Sequence, residues 1–148
     1  MQLRLKYAEL APEGIARMRD LEHYLNSQSG LDATLQELVR LLASEMNGCE
    51  YCIGLHTAEL KRHNETADRI VGVLSWREND LYTHRERAAF AWTAAVTNIQ
   101  DGHAPDAVYD EVRAHFTDVE IVNLTLTIST INAWNRLAIS LGAHSHRG

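Results

Sequence analysis

The sequence predicts an all-α protein, and three observations support this prediction. Only eight glycines and two prolines occur in 148 residues, so few positions would interrupt a helix. Apolar residues recur at spacings of three and four residues, which places them on one face of a helix. Three Thr-x-x-Glu patterns, typical of helix N-termini, precede such stretches. We therefore expect one domain, covering residues 1–148, that folds as a helical bundle of about six helices.

The first two helices are expected on either side of a glycine. The spacing of apolar residues predicts the first helix from about Glu13 to Asn26, with its end near Gly30. The arm before this helix is expected to be irregular or extended. Thr34 and Glu37 form a capping box that opens the second helix, which stops before an Asn-Gly dipeptide.

The middle of the chain is expected to be helical up to residue 74. A third helix should begin at or near Cys49 and end near Asn64. A short helix should then cover residues 66–74, and residues 76–82 are interpreted as a connecting turn. This arrangement would place both cysteines at the beginning of a helix.

The last part of the chain should contain three helices, over residues 83–99, 105–116 and 117–141. Capping boxes mark the first and the last of them, and Pro105 suits the first turn of the middle one. Apolar residues of the final helix occupy more than one stripe, which predicts a central helix or part of a subunit interface. The polar tail, residues 142–148 with His144 and His146, is expected to be disordered.

The charge of the protein argues against binding to nucleic acid. A formal net charge of -6 and a pI of about 5.7 leave no basic face that could displace counterions from phosphates. No stretch approaches the roughly 20 apolar residues of a membrane-spanning helix, and the first residues lack the apolar centre of a signal peptide. We therefore expect a cytoplasmic protein with no membrane partner.

The reactive side chains are concentrated in a short segment that contains both cysteines of the chain. Cys49, Cys52 and His56 are spaced by three and four residues, so a helix would bring them to one face. The first turn of a helix favours the thiolate of Cys49, whereas His56 can accept the thiol proton of Cys52 as a general base. Either cysteine could attack first, and the other would then close a disulfide.

Two other interpretations of the cysteine pair remain open at this point. The cysteines could be ordinary buried residues, or they could bind a structural zinc ion. Such an ion needs four nitrogen or sulfur ligands, whereas this segment offers three. We expect no metal, and the redox interpretation requires no bound cofactor.

The segment from Glu37 to His56 reads ELVRLLASEMNGCEYCIGLH. It resembles the core signature of the carboxymuconolactone decarboxylase and alkylhydroperoxidase D-like family. Residues 76–78 and 82–92 are similar to the second half of the signature, and the resemblance extends over residues 31–97. A glutamate, a CxxC pair and a histidine in this arrangement are far more specific than CxxC alone. The resemblance implies a helical fold and assembly into trimers or hexamers.

The redox-active branch of this family implies a site and a reaction. The catalytic residues, carried over by position, are Glu37, Cys49, Cys52 and His56, with Cys52 as the attacking thiol. The implied reaction is the reduction of a peroxide, after which an external dithiol, such as a lipoyl group or a protein thiol, restores both cysteines. One difference is Tyr51, where some members carry a histidine, so proton transfer through this position is an open question.

A carboxylate beside His56 would have a clear physical role. If Glu37 faced the imidazole, it would fix the tautomer and stabilise the imidazolium that forms when a thiol ionises. The competing interpretation is a helix-capping contact with Thr34. Glu45 and Glu50, which are closer to the cysteines in sequence, are interpreted as solvated.

The substrate pocket is expected to suit an organic hydroperoxide, with Leu38, Ile53 and aromatic side chains as its lining. Trp76, Trp92 and Trp134 are interpreted as core or interface residues that could also cover this pocket.

Two alternative functions come from other classes. The chain could be a non-catalytic oligomeric module that senses redox conditions through its cysteine pair. It could also be a lactone decarboxylase, although that reaction would not require two thiols.

Overall fold

The computed structural model describes residues 3–142, and these form eight α-helices and one 3-10 helix without any β-strand. The predicted all-α fold is confirmed. The helices are α1 (Tyr7–Leu10), α2 (Pro12–Gln28), α3 (Ala33–Asn47), α4 (Glu50–Arg62), α5 (Ala67–Val71), the 3-10 helix (Gly72–Glu78), α6 (His84–Thr97), α7 (Asp106–His115) and α8 (Asp118–Leu141). The tail after residue 142 lies outside the described residues, so its expected disorder stays a prediction.

Helix α3 is the centre of the bundle. It packs against α4, α6 and α8, and all its residues from Leu35 to Ser44 are buried. The largest fully buried apolar side chains of the protein include Leu25, Leu38, Leu41, Leu42, Leu60, Phe90, Leu124, Ile128 and Ile131. Because burying each such side chain stabilises the fold by about 1.5–3 kcal/mol, this core fixes α3 and the polar side chains that α3 carries into the interior.

A tight turn at Gly48 connects α3 to α4. Gly48 has a φ of +70°, in the left-handed region that favours glycine. Its N–H donates to the carbonyl of Glu45 at 3.1 Å, and the N–H of Cys49 donates to the carbonyl of Ser44 at 2.9 Å. These bonds end α3, and α4 begins at Glu50. The two helices are therefore neighbours in space, joined by two residues.

The capping box predicted for the second helix is wrong. Helix α3 begins after Asp32, whose carboxylate accepts a hydrogen bond from the N–H of Leu35 at 2.9 Å. Thr34 lies inside the first turn, and Glu37 is buried with partners from other parts of the fold. The two other predicted capping boxes, at the starts of α6 and α8, are confirmed.

Three further expectations change in detail. Part of the N-terminal arm is helical, as α1, because the carbonyl of Lys6 accepts bonds from the next turn. The expected turn over residues 76–82 is helical as far as Glu78, and Arg87 of α6 holds this segment by donating to two of its carbonyls. Pro105 is the residue that precedes α7 and lies outside its first turn.

Helix α8 passes through the middle of the protein. It has 24 residues and packs against α2, α3, α4, α6 and α7. Near its end, Ala138 packs against both cysteines in a small second cluster. Within residues 3–142, neither α8 nor any other helix is long and apolar enough to cross a membrane.

The N-terminal arm lies along the end of α8. The backbone N–H groups of Arg4 and Leu5 donate to the carbonyl of Leu141 at 2.7 and 3.2 Å. The guanidinium of Arg4 also donates to the carbonyl of Ser140 at 3.2 Å. These bonds place the arm beside the part of α8 that packs against the cysteines.

Candidate active site

The two cysteines lie at the start of α4 and form a disulfide. Cys49 is the residue that precedes the helix, and Cys52 lies in the first turn, with the two Cα atoms 5.3 Å apart. The sulfur of Cys49 accepts a hydrogen bond from the N–H of Cys52 at 3.4 Å. Both residues are buried. Their position at a helix N-terminus would favour a thiolate in the reduced state, because unpaired N–H groups and the positive end of the helix dipole are nearby.

His56 lies one turn after Cys52 on α4 and contacts Glu37 of α3. The Nδ1 atom of His56 is 2.7 Å from Oε2 of Glu37, and both residues are buried. The carboxylate therefore accepts a hydrogen bond from Nδ1–H and leaves Nε2 as the nitrogen that can accept a proton. Contact with His56, predicted for Glu37, is found, and the competing capping contact with Thr34 is not.

Arg40 holds the other oxygen of the Glu37 carboxylate. Its Nη1 atom donates to Oε1 of Glu37 at 2.7 Å, and the residue is only 2% exposed. Its Nη2 atom donates to the side-chain oxygens of Asn26 and Gln36, at 2.9 and 3.2 Å. Arg40 thus fixes Glu37 in position while the carboxylate binds His56.

A second carboxylate, Glu22 of α2, lies on the other side of Arg40. Its Oε1 atom is 3.5 Å from Nε of Arg40. Its Oε2 atom accepts a hydrogen bond from the indole N–H of Trp134 at 2.6 Å. A chain of polar contacts therefore runs from Trp134 and Glu22 through Arg40 to Glu37 and then to the imidazole.

The pKa of Glu37 lies below its ordinary value. Burial acts to raise this pKa, but the hydrogen bond and charge of His56, together with those of Arg40, lower it by more. The carboxylate is therefore ionised over the whole neutral range. An ionised carboxylate on Nδ1 stabilises the imidazolium form of the histidine, which is the form that a general base reaches after it accepts a proton.

A cavity of about 670 Å³ opens beside these residues. Cys52 and His56 are part of its wall, together with Tyr51 and Leu55 of the same helix. The other walls come from the N-terminal arm, from α2 and from α8. Cys49 is not among the lining residues that the structure describes, so Cys52 is the cysteine that a ligand in this cavity would meet first.

The predicted lining of the pocket is partly wrong. Leu38 is fully buried in the main core, and Ile53 packs against that core. Among the three tryptophans, Trp134 lines the cavity, while Trp76 and Trp92 belong to the main core. Apolar residues occur on more than one face of α3 and α4. The residue type alone therefore did not show which of these side chains face the cavity.

The acidic residues next to the cysteines in sequence differ from each other. Glu50 is exposed, as predicted, whereas Glu45 is half-buried and burial raises its pKa. Neither makes a contact with His56 among those described. Within residues 3–142, no three His, Cys, Asp or Glu side chains are grouped in a way that could hold a metal ion.

Sequence reasoning missed three members of the polar chain: Glu22, Arg40 and Trp134. One signal was present, because Arg40 is a charged residue within a run of six buried residues that are otherwise apolar, from Leu38 to Ala43. A buried arginine needs an anionic partner, and Glu37 lies three residues before it. Glu22 and Trp134 are distant in sequence and carried no such signal.

The all-helical bundle, which carries the CxxC disulfide at the start of α4, has the fold of a known class of proteins. The model of the carboxymuconolactone decarboxylase family matches residues 12–95, a range that includes every polar site residue except Trp134. The chain belongs to this family.

Two relatives from bacteria are similar in sequence. YdfG of Bacillus subtilis (strain 168), an uncharacterised protein, is 39% identical over 142 residues, which cover 96% of each chain. YnjA of Escherichia coli (strain K12), also uncharacterised, is 26% identical over 105 residues, or 71% of this chain and 57% of its own.

Solved structures with the same fold include two that are described in terms of AhpD. A protein of unknown function from Agrobacterium tumefaciens, provisionally assigned to antioxidant defence as AhpD, has a TM-score of 0.94 and 38% identity, covering 97% of this chain and 98% of that chain. An AhpD-core, peroxidase-related protein from Ralstonia eutropha JMP134 has a TM-score of 0.82 and 20% identity, covering 94% and 74%. The debrominase Bmp8, with a TM-score of 0.83 and 17% identity over 93% and 74%, is similar in fold alone, as is the Ralstonia protein.

Proposed function

We propose that this protein is a thiol-dependent peroxidase that reduces an organic hydroperoxide through a Cys49–Cys52 redox cycle. One observation carries the proposal: Cys52 and His56 open into the same cavity, and Nδ1 of His56 is 2.7 Å from the carboxylate of Glu37. This is the arrangement that activates a weak nucleophile, namely a thiol near a base that a third group orients.

The first step is the transfer of two electrons from Cys52 to the peroxide. The thiol gives its proton to Nε2 of His56, and Glu37 stabilises the resulting imidazolium. The thiolate attacks one peroxide oxygen, the O–O bond breaks, and Cys52 becomes a sulfenic acid. The alkoxide that leaves takes the proton back from the imidazolium and departs as an alcohol.

The second step regenerates the protein. The thiol of Cys49 attacks the sulfenic sulfur of Cys52, the S–O bond breaks, and water leaves as the disulfide forms. An external dithiol of the lipoyl type, or a protein thiol, then reduces this disulfide and becomes oxidised itself. The role of Cys49 as the resolving thiol is supported by the cavity, which is lined by Cys52 but not, among the described residues, by Cys49.

The proposed redox cycle also bears on the cellular compartment and the assembly of the protein. A cytoplasmic homo-oligomer, either trimer or hexamer, would meet the reduced dithiols on which the cycle depends. Mass determination in solution by light scattering tests the assembly, and a monomeric mass would contradict it.

The test of the proposed reaction is steady-state turnover of cumene hydroperoxide with dihydrolipoamide as reductant. We expect the activity of Cys52→Ser to fall by on the order of a thousandfold, because no thiol then lines the cavity. His56→Ala should lose about a hundredfold, the usual contribution of a general base. His63→Ala is the matched control, since His63 is an exposed histidine at the end of the same helix.

Cys49→Ser separates the two steps. Without an added dithiol, this variant should consume one equivalent of peroxide and stop, with a sulfenic acid on Cys52 that dimedone traps. If the wild-type disulfide forms readily but dihydrolipoamide supports no turnover, the peroxidase proposal is wrong and redox sensing is favoured.

A further inference from the structure

The cavity beside Cys52 has one apolar wall and one polar wall. The apolar side is built from the N-terminal arm, α4 and α8, and includes Leu3, Leu5, Leu55, Ile131 and Ala138. A polar side is the face of α2 that carries Arg19, Glu22, His23 and Asn26. These residues are spaced by three and four positions, so they lie on one stripe of the helix. The cavity therefore matches a ligand with an apolar body and a polar end.

The charges of the cavity are paired with one exception. Glu22 is bound by Arg40 and by Trp134, and Lys6 lies 3.7 Å from Glu9. Arg19 forms no ion pair with any carboxylate of residues 3–142, in contrast to Arg17, which contacts Asp20 at 2.9 Å. Among residues 3–142, Arg19 is thus the cation of the cavity wall whose charge no neighbouring carboxylate balances.

Tyr7 and Arg19 both line this cavity. The Tyr7 hydroxyl is close enough to Tyr51 and to Arg19 for their charges to affect it: burial and Tyr51 raise the pKa of Tyr7, whereas Arg19 lowers it. A neutral phenol donates a hydrogen bond, and a guanidinium donates several. Together they supply the donors that a carboxylate accepts, and charge-assisted bonds of this kind are the stronger ones.

We propose that the substrate of this site is an amphipathic acid, a hydroperoxide whose carboxylate binds Arg19 and Tyr7 while its hydrocarbon part packs on the apolar wall. This inference rests on the proposed function and names the substrate class. The carboxylate takes no part in the chemistry: the acid enters with its hydroperoxide group at Cys52 and leaves as a hydroxy acid and water. A volume of about 670 Å³ lies within the roughly 300–1,000 Å³ of cavities that hold small organic ligands.

The test compares linoleic acid hydroperoxide with its methyl ester, which has the same reacting group and the same chain but no charge. We expect the wild type to have a kcat/KM about tenfold higher for the acid, mostly through KM, because the contact holds the substrate in the ground state and in the transition state alike. Arg19→Gln should reduce this preference about fivefold or more, and Arg19→Lys should restore most of it.

Arg17→Gln is the matched control. Arg17 is an exposed arginine of the same helix that does not line the cavity, so the preference for the acid should stay at the wild-type value. Equal kcat/KM for the acid and the ester in the wild type would overturn the inference, as would an equal loss in both arginine variants.

Binding without turnover keeps this inference separate from the proposed reaction. Linoleic acid and methyl linoleate, neither of which can be reduced, are titrated while the fluorescence of Trp134 in the cavity wall is followed. Tighter binding of the acid that depends on Arg19 supports the ligand class even if no hydroperoxide is turned over. If cumene hydroperoxide is turned over but the acid binds no better than the ester, the substrate class is wrong and the peroxidase stands.

Discussion

Two arginines of this protein each lie between two carboxylates, but the surroundings of the two clusters differ. The Arg40 side chain is 3% exposed and the Arg69 side chain 22%. We name the groups the Arg40 cluster and the Arg69 cluster; they consist of Glu22, Arg40 and Glu37, and of Glu65, Arg69 and Glu86. In sequence they look alike, since each pairs an arginine with a glutamate three or four residues before it.

The Arg69 cluster joins helices. Its Glu86 accepts bonds from Arg69, with a shortest distance of 2.6 Å, and also from the N–H of Thr83 as part of the capping box of α6. Arg69 further donates to the carbonyl of Leu81. All these contacts fix α5 to the start of α6, and none of them reaches the cavity.

The Arg40 cluster ends at His56, which contacts Glu37. Removing two carboxylates and a guanidinium from water is costly, and a buried ion pair contributes little net stability compared with apolar packing. We therefore explain the position of the Arg40 cluster by the group that it orients, which is the Glu37 carboxylate bound to His56. The comparison teaches that the burial of the arginine and the contacts of its carboxylate partners distinguish an ion pair at the candidate active site from one that joins helices, whereas the spacing of charges in sequence does not.

The largest difference between the two clusters is expected in the free energy of unfolding when each arginine is replaced. Arg40→Met removes the buried cation that contacts the buried Glu37 and the partly exposed Glu22, and it should lower the free energy of unfolding by about 3–5 kcal/mol. Arg69→Met should cost about 1–2 kcal/mol, because the Arg69 side chain is itself 22% exposed, against 3% for Arg40. Urea unfolding measures both values, and similar losses in the two variants would remove the distinction between the clusters.

The stability of the two clusters should respond to acidification in the same direction. The pKa of Glu37 and that of Glu86 are both lowered, because ion pairs and hydrogen bonds outweigh burial. The unfolded value is 4.5, so each carboxylate stabilises the fold above pH 4.5 and loses this contribution as the pH falls through the lower folded value. Glu37→Gln and Glu86→Gln should therefore approach the wild type in stability below that pH.

The same two variants should separate in turnover at neutral pH. The turnover rate of Glu37→Gln should fall by about tenfold to a hundredfold, since the imidazolium of His56 loses its counter-charge. Glu86→Gln, far from the cavity, should keep the wild-type rate. A full rate in Glu37→Gln would show that the carboxylate does not assist the base.

The smallest effect is expected at the helix caps. Thr83→Ala removes the hydroxyl that accepts from the N–H of Glu86 and should cost about 1 kcal/mol of unfolding free energy. Thr34→Ala is the matched control, because Thr34 lies within α3 and caps nothing. Thermal unfolding compares them, and equal costs would contradict the assignment of Asp32 as the cap of α3.

Local patterns predicted most of the fold. The capping boxes at Thr83 and Thr117, the break at Gly48 and the start of a helix at Cys49 are all properties of neighbouring residues, and the structure has them. The grouping of Cys52 and His56 followed from helical periodicity in the same way. The contact of Glu37 with the imidazole bridges two helices and was expected from a resemblance to a family.

Tertiary contacts explain what the sequence did not predict. Thr34 and Glu37 have the spacing of a capping box, but Glu37 is bound by Arg40 and His56, and Asp32 takes the capping role. The cavity wall combines an arm, α2 and α8, which lie far apart in sequence. No local rule shows that a surface stripe of α2 faces a thiol on α4, so the polar wall of the cavity became visible only in the fold.

Because the turn at Gly48 is short, the contact between Glu37 on α3 and His56 on α4 depends on the number of residues between them. Glu37 and His56 are 19 positions apart, on helices that are joined by two residues. One residue inserted into α4 between Cys52 and His56 would rotate the imidazole by about 100° around the helix axis, away from the carboxylate and from the cavity. Among related chains, insertions and deletions should therefore accumulate in the connections near α5 and α7, and this stretch should keep its length even where its residues change.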